Sequence, residues 1–181
     1  SLSSTNIFRP LLLPTLSAMN SDALLSLCRK IQDYMLAHGL TLSVAESCTG
    51  GGIAAALTSV SGSSGYFQGG LVAYQNELKV KFLGVSDSDI ELYDVVSRPV
   101  VEQMVQGACA LFRTDCALAS TGYAGEGNDR IAAGTIWIAW GGLSEVHSFC
   151  LHADATRAEN TACAVYEVLE HFLNWLEGNK G

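Results

Sequence analysis

Positive charge is scarce in this chain: ten Lys and Arg stand against 18 Asp and Glu, a formal net charge of −8. Proteins that hold a nucleic-acid backbone present clustered Lys and Arg. The balance therefore argues against a nucleic-acid partner and leaves room only for a local basic pocket. Long apolar runs are missing as well, because no stretch nears the roughly 20 residues that span a bilayer as a helix. No membrane partner is expected. The six cysteines (Cys28, Cys48, Cys109, Cys116, Cys150 and Cys163) form no C-x-x-C pair and are too dispersed for a disulfide scaffold. They read as free thiols in a reducing compartment, so the expected location is cytoplasmic. The four histidines show neither H-x-x-x-H spacing nor a Cys/His cluster. Packing or surface roles suit them, and neither a metal nor a cofactor is expected.

Proline is rare too, and two of the three lie in residues 1–18, "SLSSTNIFRPLLLPTLSA", a segment with one charge and no helical period. Its apolar run is too short and its basic end too weak for a signal peptide. The expectation is a disordered or appended extension, followed by a single domain over residues 19–178. What the chain has in quantity is apolar surface: 49% of its residues are hydrophobic and 15% charged, the composition of a domain with a sizeable core.

Periodicity fills in the architecture. Leu24, Leu27, Cys28, Ile31 and Met35 recur at helical spacing before Gly39, and "TLSVA" follows as a strand. A helix over about 50–59, a strand "GGLVAY" and a short helix "ELKVKFLG" come next. A polar Ser/Asp connection then leads to a helix with Ser97 as N-cap and Pro99 in its first turn. "DCALAST", "AGTIWIAW" and "EVHSFCL" are strands, and Thr156 with Glu159 has the spacing of a capping box before the last helix. Helices alternating with strands, then a strand pair, predict an α/β fold: a three-layer α/β/α sandwich on a mixed, mainly parallel sheet.

Four segments have the residues for chemistry. "ESCTGGG" (46–52) stands where a strand hands over to a helix, the usual place for ligands in open α/β sheets. Its glycines allow a close approach to the backbone, and the helix end favours an anion. Ser47 or Thr49 could simply cap that helix, whereas Ser47 as a nucleophile needs a base from elsewhere, since both the G-x-S-x-G elbow and the S-x-x-K spacing are absent. A relaxed dinucleotide fingerprint at Gly50-x-Gly52 lacks its acidic partner.

"YQNELK" (74–79) offers that base. With Asn76 as N-cap, Lys79 falls at the third helical position, where helix end and burial lower the pKa of an amine. A solvated surface lysine is the plain alternative. Tyr74 is either an ordinary strand aromatic or a proton relay. "STGYAGEGN" (120–128) is a glycine turn or an anion nest, and Arg157, at the start of the last helix, invites an anion or a salt bridge to Asp154 or Glu159.

Together, "AESCTGG", "GSSGYFQGGLVAYQNELKVKFLGV", "VVSRPVVEQMVQGA", "STGYAGEGN", "AGTIWIA" and "DATRAENT" resemble the CinA C-terminal domain family, over about residues 20–177. Its characterised members include nicotinamide mononucleotide deamidases. The resemblance implies an amidohydrolase that converts the carboxamide of a small-molecule pyridine mononucleotide to the acid and ammonia, in pyridine-nucleotide salvage. It makes Ser47 the nucleophile and Tyr74 and Lys79 the proton-transfer pair. It places Cys48, Thr49, Gly50, Gly51, Asn76, Thr121, Gly122 and Arg157 at the substrate, with backbone N–H groups of 48–51 facing the oxyanion. Three departures stand out: Gln75 for the family's serine, Glu126 for a proline, and 131–133, "IAA", for Lys-Pro-Val. They leave open a different amide substrate or a non-catalytic nucleotide-binding or interaction module. A third reading makes Cys48 the nucleophile. Apolar helix faces and Trp137, Trp140 and Trp175 permit a homo-oligomer.

Overall fold

The structure, a computed structural model, describes residues 21–178, so the predicted extension over 1–18 lies outside the described residues. Among the described residues, six α-helices, α1 (Ser21–His38), α2 (Gly52–Thr58), α3 (Asn76–Leu83), α4 (Asp87–Tyr93), α5 (Arg98–Phe112) and α6 (Arg157–Leu176), surround five strands. The strands are β1 (Leu42–Glu46), β2 (Phe67–Val72), β3 (Cys116–Gly122), β4 (Thr135–Gly141) and β5 (Val146–His152), in the sheet order β2-β1-β3-β4-β5. β1 pairs in parallel with β2 and β3, while β3–β4 and β4–β5 are antiparallel. β4 alone runs against the other four strands, which gives the expected mixed sheet a mainly parallel direction.

Alternation along the strands builds two unlike faces. Leu42, Val44, Leu118, Ile136, Ile138 and Trp140 point into a core shared with α1, α2 and α6, which supply Ile31, Met35, Ile53, Leu57, Val168 and Phe172. The opposite face is made of Ala45, Ala117, Ala119 and Ala139, and against it pack Val100, Val101, Met104, Val105 and Ala108 of α5 with Leu83 of α3. Short alanine side chains let α5 lie close to the sheet. Three layers result, with the bulky residues concentrated in one interlayer.

Two local signals act as expected and two do not. Gly39 and Gly84 end their helices with φ of 63° and 66°, and Thr156 Oγ1 accepts the Glu159 N–H at 3.2 Å to start α6. The segment after Gly84 is not a plain polar connection. Ser86 accepts the Asp89 N–H and Asp87 and Asp89 stand in the first turn, so α4 forms. Ser97 precedes α5 as its N-cap residue, but its hydroxyl donates to the Asp94 carbonyl at 2.8 Å instead of bonding the helix.

The connection from β1 leads outward to β2, and the chain then crosses back to place β3 on β1's other side. Strand order reverses at β1. A crevice opens at such a point, beyond the carboxyl ends of the strands.

Candidate active site

A cleft of about 250 Å³ occupies that crevice. Ser47 and Cys48 enter it just past β1, Tyr74, Asn76 and Lys79 from the β2–α3 turn, Thr121 and Gly122 from the end of β3, and Arg157 from the start of α6. Val95, Val96, Tyr123, Ala124 and Glu126 complete the walls. Thr49, Gly50 and Gly51 do not line it. Gly50 (φ 60°) and Gly51 (φ 98°) form instead the left-handed turn into α2.

Neither Ser47 nor Thr49 caps α2, whose N-cap position is Gly51, without a side-chain bond. The cap comes from Glu46. Its fully buried carboxylate accepts the Ile53 N–H at 2.8 Å on Oε1 and the Ala54 N–H at 3.1 Å on Oε2, a favourable site for an anion at a positive helix end. Thr49 Oγ1 donates to Glu46 Oε1 at 2.6 Å, which leaves Ser120 Oγ, 2.7 Å away, to donate to Thr49. Ser120 Oγ accepts in turn from the Ser47 N–H at 3.3 Å. The chain of bonds fixes the backbone at Ser47 and leaves the Ser47 hydroxyl free in the cleft. Gly50 N–H is occupied by the Ser47 carbonyl and Gly52 N–H by that of Thr49. Within 48–51, Thr49, Gly50 and Gly51 stand outside the cleft lining, so the expected oxyanion donors narrow to the Cys48 N–H.

Lys79 is the fourth residue of α3, not the third, because Asn76 is already helical and Gln75 holds the cap position without a side-chain bond. Asn76 turns to the cleft instead. Lys79 is only 1% exposed, and Nζ donates to the Tyr74 carbonyl at 3.1 Å. Burial lowers its pKa to about 8, against a smaller opposite pull from Cys48. The surface-lysine alternative is excluded. Tyr74 itself is 56% exposed, so its carbonyl holds the lysine while its ring stands at the mouth. Burial pushes the Cys48 thiol up to about 11, only partly offset by Ser120 and Lys79. A thiolate is therefore disfavoured where the third reading needs one.

On the far wall, Thr121 is buried and its hydroxyl donates to the Val95 carbonyl at 3.1 Å, so it braces the wall. Arg157 forms no ion pair with Asp154 or Glu159 among the described residues. Its guanidinium lies over Gly125, where an added Cβ would come within 2.7 Å of Nη2. Glu126 is exposed at the rim. Sequence reasoning missed Glu46, Ser120 and Tyr123. The buried carboxylate beside a nucleophile-like serine was a signal for the first, but its partners lie seven and eight residues on, beyond any capping pattern.

Comparison with known proteins finds relatives of this chain in sequence and in fold. The family model of the CinA C-terminal domain matches residues 25–176. Nicotinamide-nucleotide amidohydrolase PncC of Escherichia coli K12 is 35% identical over 162 residues, 86% of this chain and 98% of that protein. A CinA-like protein of Shewanella sediminis is 42% identical over 160 residues, 84% of this chain but 38% of its own length. A crystal structure of the competence damage-inducible protein A from Klebsiella pneumoniae superposes with a TM-score of 0.82 at 31% identity, covering 85% of this chain and 97% of that one. With a family-model match over residues 25–176, a relative 35% identical over 86% of the chain and a shared fold, the chain belongs to the CinA C-terminal domain family.

Proposed function

We propose that this chain is a serine amidohydrolase that deamidates nicotinamide mononucleotide to nicotinic acid mononucleotide and ammonia, in pyridine-nucleotide salvage. The observation that carries the reading is a buried amine, Lys79, with its pKa brought down to about 8, in the same cleft as the unoccupied hydroxyl of Ser47. A serine hydroxyl attacks an amide only when a base takes its proton. An amine that is partly neutral near pH 8 can act as that base. The name of the Escherichia coli relative supplies the substrate.

In this mechanism Ser47 Oγ attacks the carboxamide carbon, and its proton passes to Lys79 Nζ, directly or through the Tyr74 hydroxyl. The backbone N–H group of Cys48 stabilises the oxyanion. Lys79 then returns the proton to the departing nitrogen, which leaves as ammonia, and the acyl group stays on Ser47 as an ester. Water, deprotonated by Lys79, attacks that ester to release the carboxylate and restore the hydroxyl. Arg157 and the N–H groups of the Ala124–Glu126 segment hold the phosphate, while Asn76 and Gly122 position the rest of the nucleotide.

Ammonia release from nicotinamide mononucleotide by purified protein tests the reading, with Ser47→Ala and Cys48→Ala measured beside it. Turnover that vanishes in the Ser47 variant is the expected outcome. Turnover lost only in the Cys48 variant would reject the serine, and tight binding without turnover in any form would favour a nucleotide-binding module.

A further inference from the structure

Asp94 has a backbone that its residue type seldom adopts, with φ 76° and ψ 157°. That region is occupied almost entirely by glycine, and other residues persist in it only where their surroundings hold them there. The surroundings of Asp94 do so densely. Its side chain is buried, Oδ1 accepts the Val96 N–H at 2.9 Å and the Tyr123 hydroxyl at 3.0 Å, and Oδ2 accepts Asn128 Nδ2 at 2.8 Å. Its carbonyl accepts the Ser97 hydroxyl.

These bonds join two segments far apart in sequence. Val95 and Val96 form one wall of the cleft, Tyr123, Ala124 and Glu126 another, and the Asp94 carboxylate is bonded to both. Asn128 closes a ring by donating from Nδ2 to the Tyr123 hydroxyl as well, at 3.0 Å. Two further ties run in parallel: Thr121 Oγ1 to the Val95 carbonyl, and the Arg130 guanidinium to the carbonyls of Glu91 and Leu92 at 2.9 and 2.6 Å. Asn128 cannot turn its amide round, because Oδ1 accepts the Arg130 and Ile131 N–H groups at 2.9 and 2.8 Å.

We infer that Asp94 is a positioning residue: through Tyr123, Asn128 and Val96 it clamps the 95–96 wall to the 123–131 loop, setting the width of the substrate end of the cleft. Asp94 touches none of the proposed reacting groups, so it governs substrate binding and leaves the Ser47–Lys79 chemistry alone. The inference rests on the proposed function for its kinetic consequence and on the structure alone for the clamp.

Asp94→Gly tests it well, since glycine accepts this backbone without strain and removes the side chain that bonds both walls. Hydrogen exchange on the free protein is the first measurement. Amides of 95–96 and 123–131 are expected to exchange faster together in Asp94→Gly, with the Glu46-capped segment 53–58 unchanged. Unaltered protection in both segments would overturn the clamp, whatever the protein's substrate. Steady-state ammonia release is the second measurement. With nicotinamide mononucleotide, KM is expected to rise about tenfold at nearly constant kcat, the pattern of lost uniform binding. Asp94→Asn is expected to fall in the same direction, because its amide meets the donor of a fixed Asn128. Equal KM in wild type and both variants, or a fall in kcat alone, would overturn the positioning role. Absence of turnover in the wild type would strike the proposed function and leave the exchange measurement to decide the clamp.

Discussion

Thr49 Oγ1 lies 2.6 Å from Glu46 Oε1, and by donating there it turns its acceptor side to Ser120. The nucleophile candidate is thus held by a carboxylate that it never touches. Removing the middle of the relay should be felt at both ends. Thr49→Val keeps the shape and leaves the Ser120 hydroxyl without its acceptor, at a cost of about 1–3 kcal/mol for a buried unsatisfied group. Urea unfolding measures it, and a loss in kcat larger than any rise in KM is expected, since Ser47's backbone is the part released. A variant as stable and active as wild type would show that the relay is incidental.

The buried amine makes stability and activity oppose each other at Lys79. Its pKa is about 8 in the folded protein and near 10.4 when unfolded. Folding therefore favours the neutral form. Below pH 8 the fold bears the full cost of a buried charge. Between about pH 8 and 10.4 the folded amine releases its proton while the unfolded one keeps it, so stability from this group rises with pH. Lys79→Met should accordingly be more stable than wild type at pH 7, by about 2–3 kcal/mol, with the gap closing toward pH 10. Its ammonia release should be lost. In the wild type, kcat/KM should climb as pH passes through about 8, as a free-amine base requires. A flat profile across that range would remove Lys79 from the role.

The sequence reading reached the fold where local signals and burial coincide. The stripe of α1, the capping of α6 and the glycine stops of α1 and α3 all depend on residues within about one turn of each other, and each appears as expected. It reached Ser47, Tyr74, Lys79 and Arg157 because strand ends and helix starts are themselves readable. It stopped where partners are distant. Ser120 meets Ser47 across 73 positions and Asp94 meets Tyr123 across 29, and no periodicity records such a meeting. The cap of α2 and the helix α4 were missed for different reasons. The first uses a buried carboxylate outside the usual capping position, and the second is seven residues with no buried side chain to give it a stripe.

Cys48 should behave as a masked thiol. With its pKa pushed up to about 11, its thiolate fraction at pH 7.5 is on the order of a hundredfold below that of a free cysteine. Iodoacetamide should label it correspondingly slowly, as followed by mass spectrometry of the peptide containing residue 48, and the rate should keep rising beyond pH 9. Rapid labelling at neutral pH would revive the thiolate as a nucleophile.

Arg157 is exposed, without an ion pair to its helical neighbours, and its guanidinium rests on Gly125. A cation at a helix start is unfavourable in the free protein and favourable once an anion arrives. Arg157→Ala should therefore leave stability within about 0.5 kcal/mol. It should raise KM for the mononucleotide by roughly 10–100-fold, the loss of a charge-assisted phosphate contact. The control is the matching nucleoside, which lacks the phosphate: its KM should not move. Gly125→Ala should reproduce part of the effect from the other side, because the new methyl group takes the space of the guanidinium. If nucleoside and nucleotide suffer equally, Arg157 holds the cleft wall instead of the phosphate, and the anion belongs elsewhere along the loop.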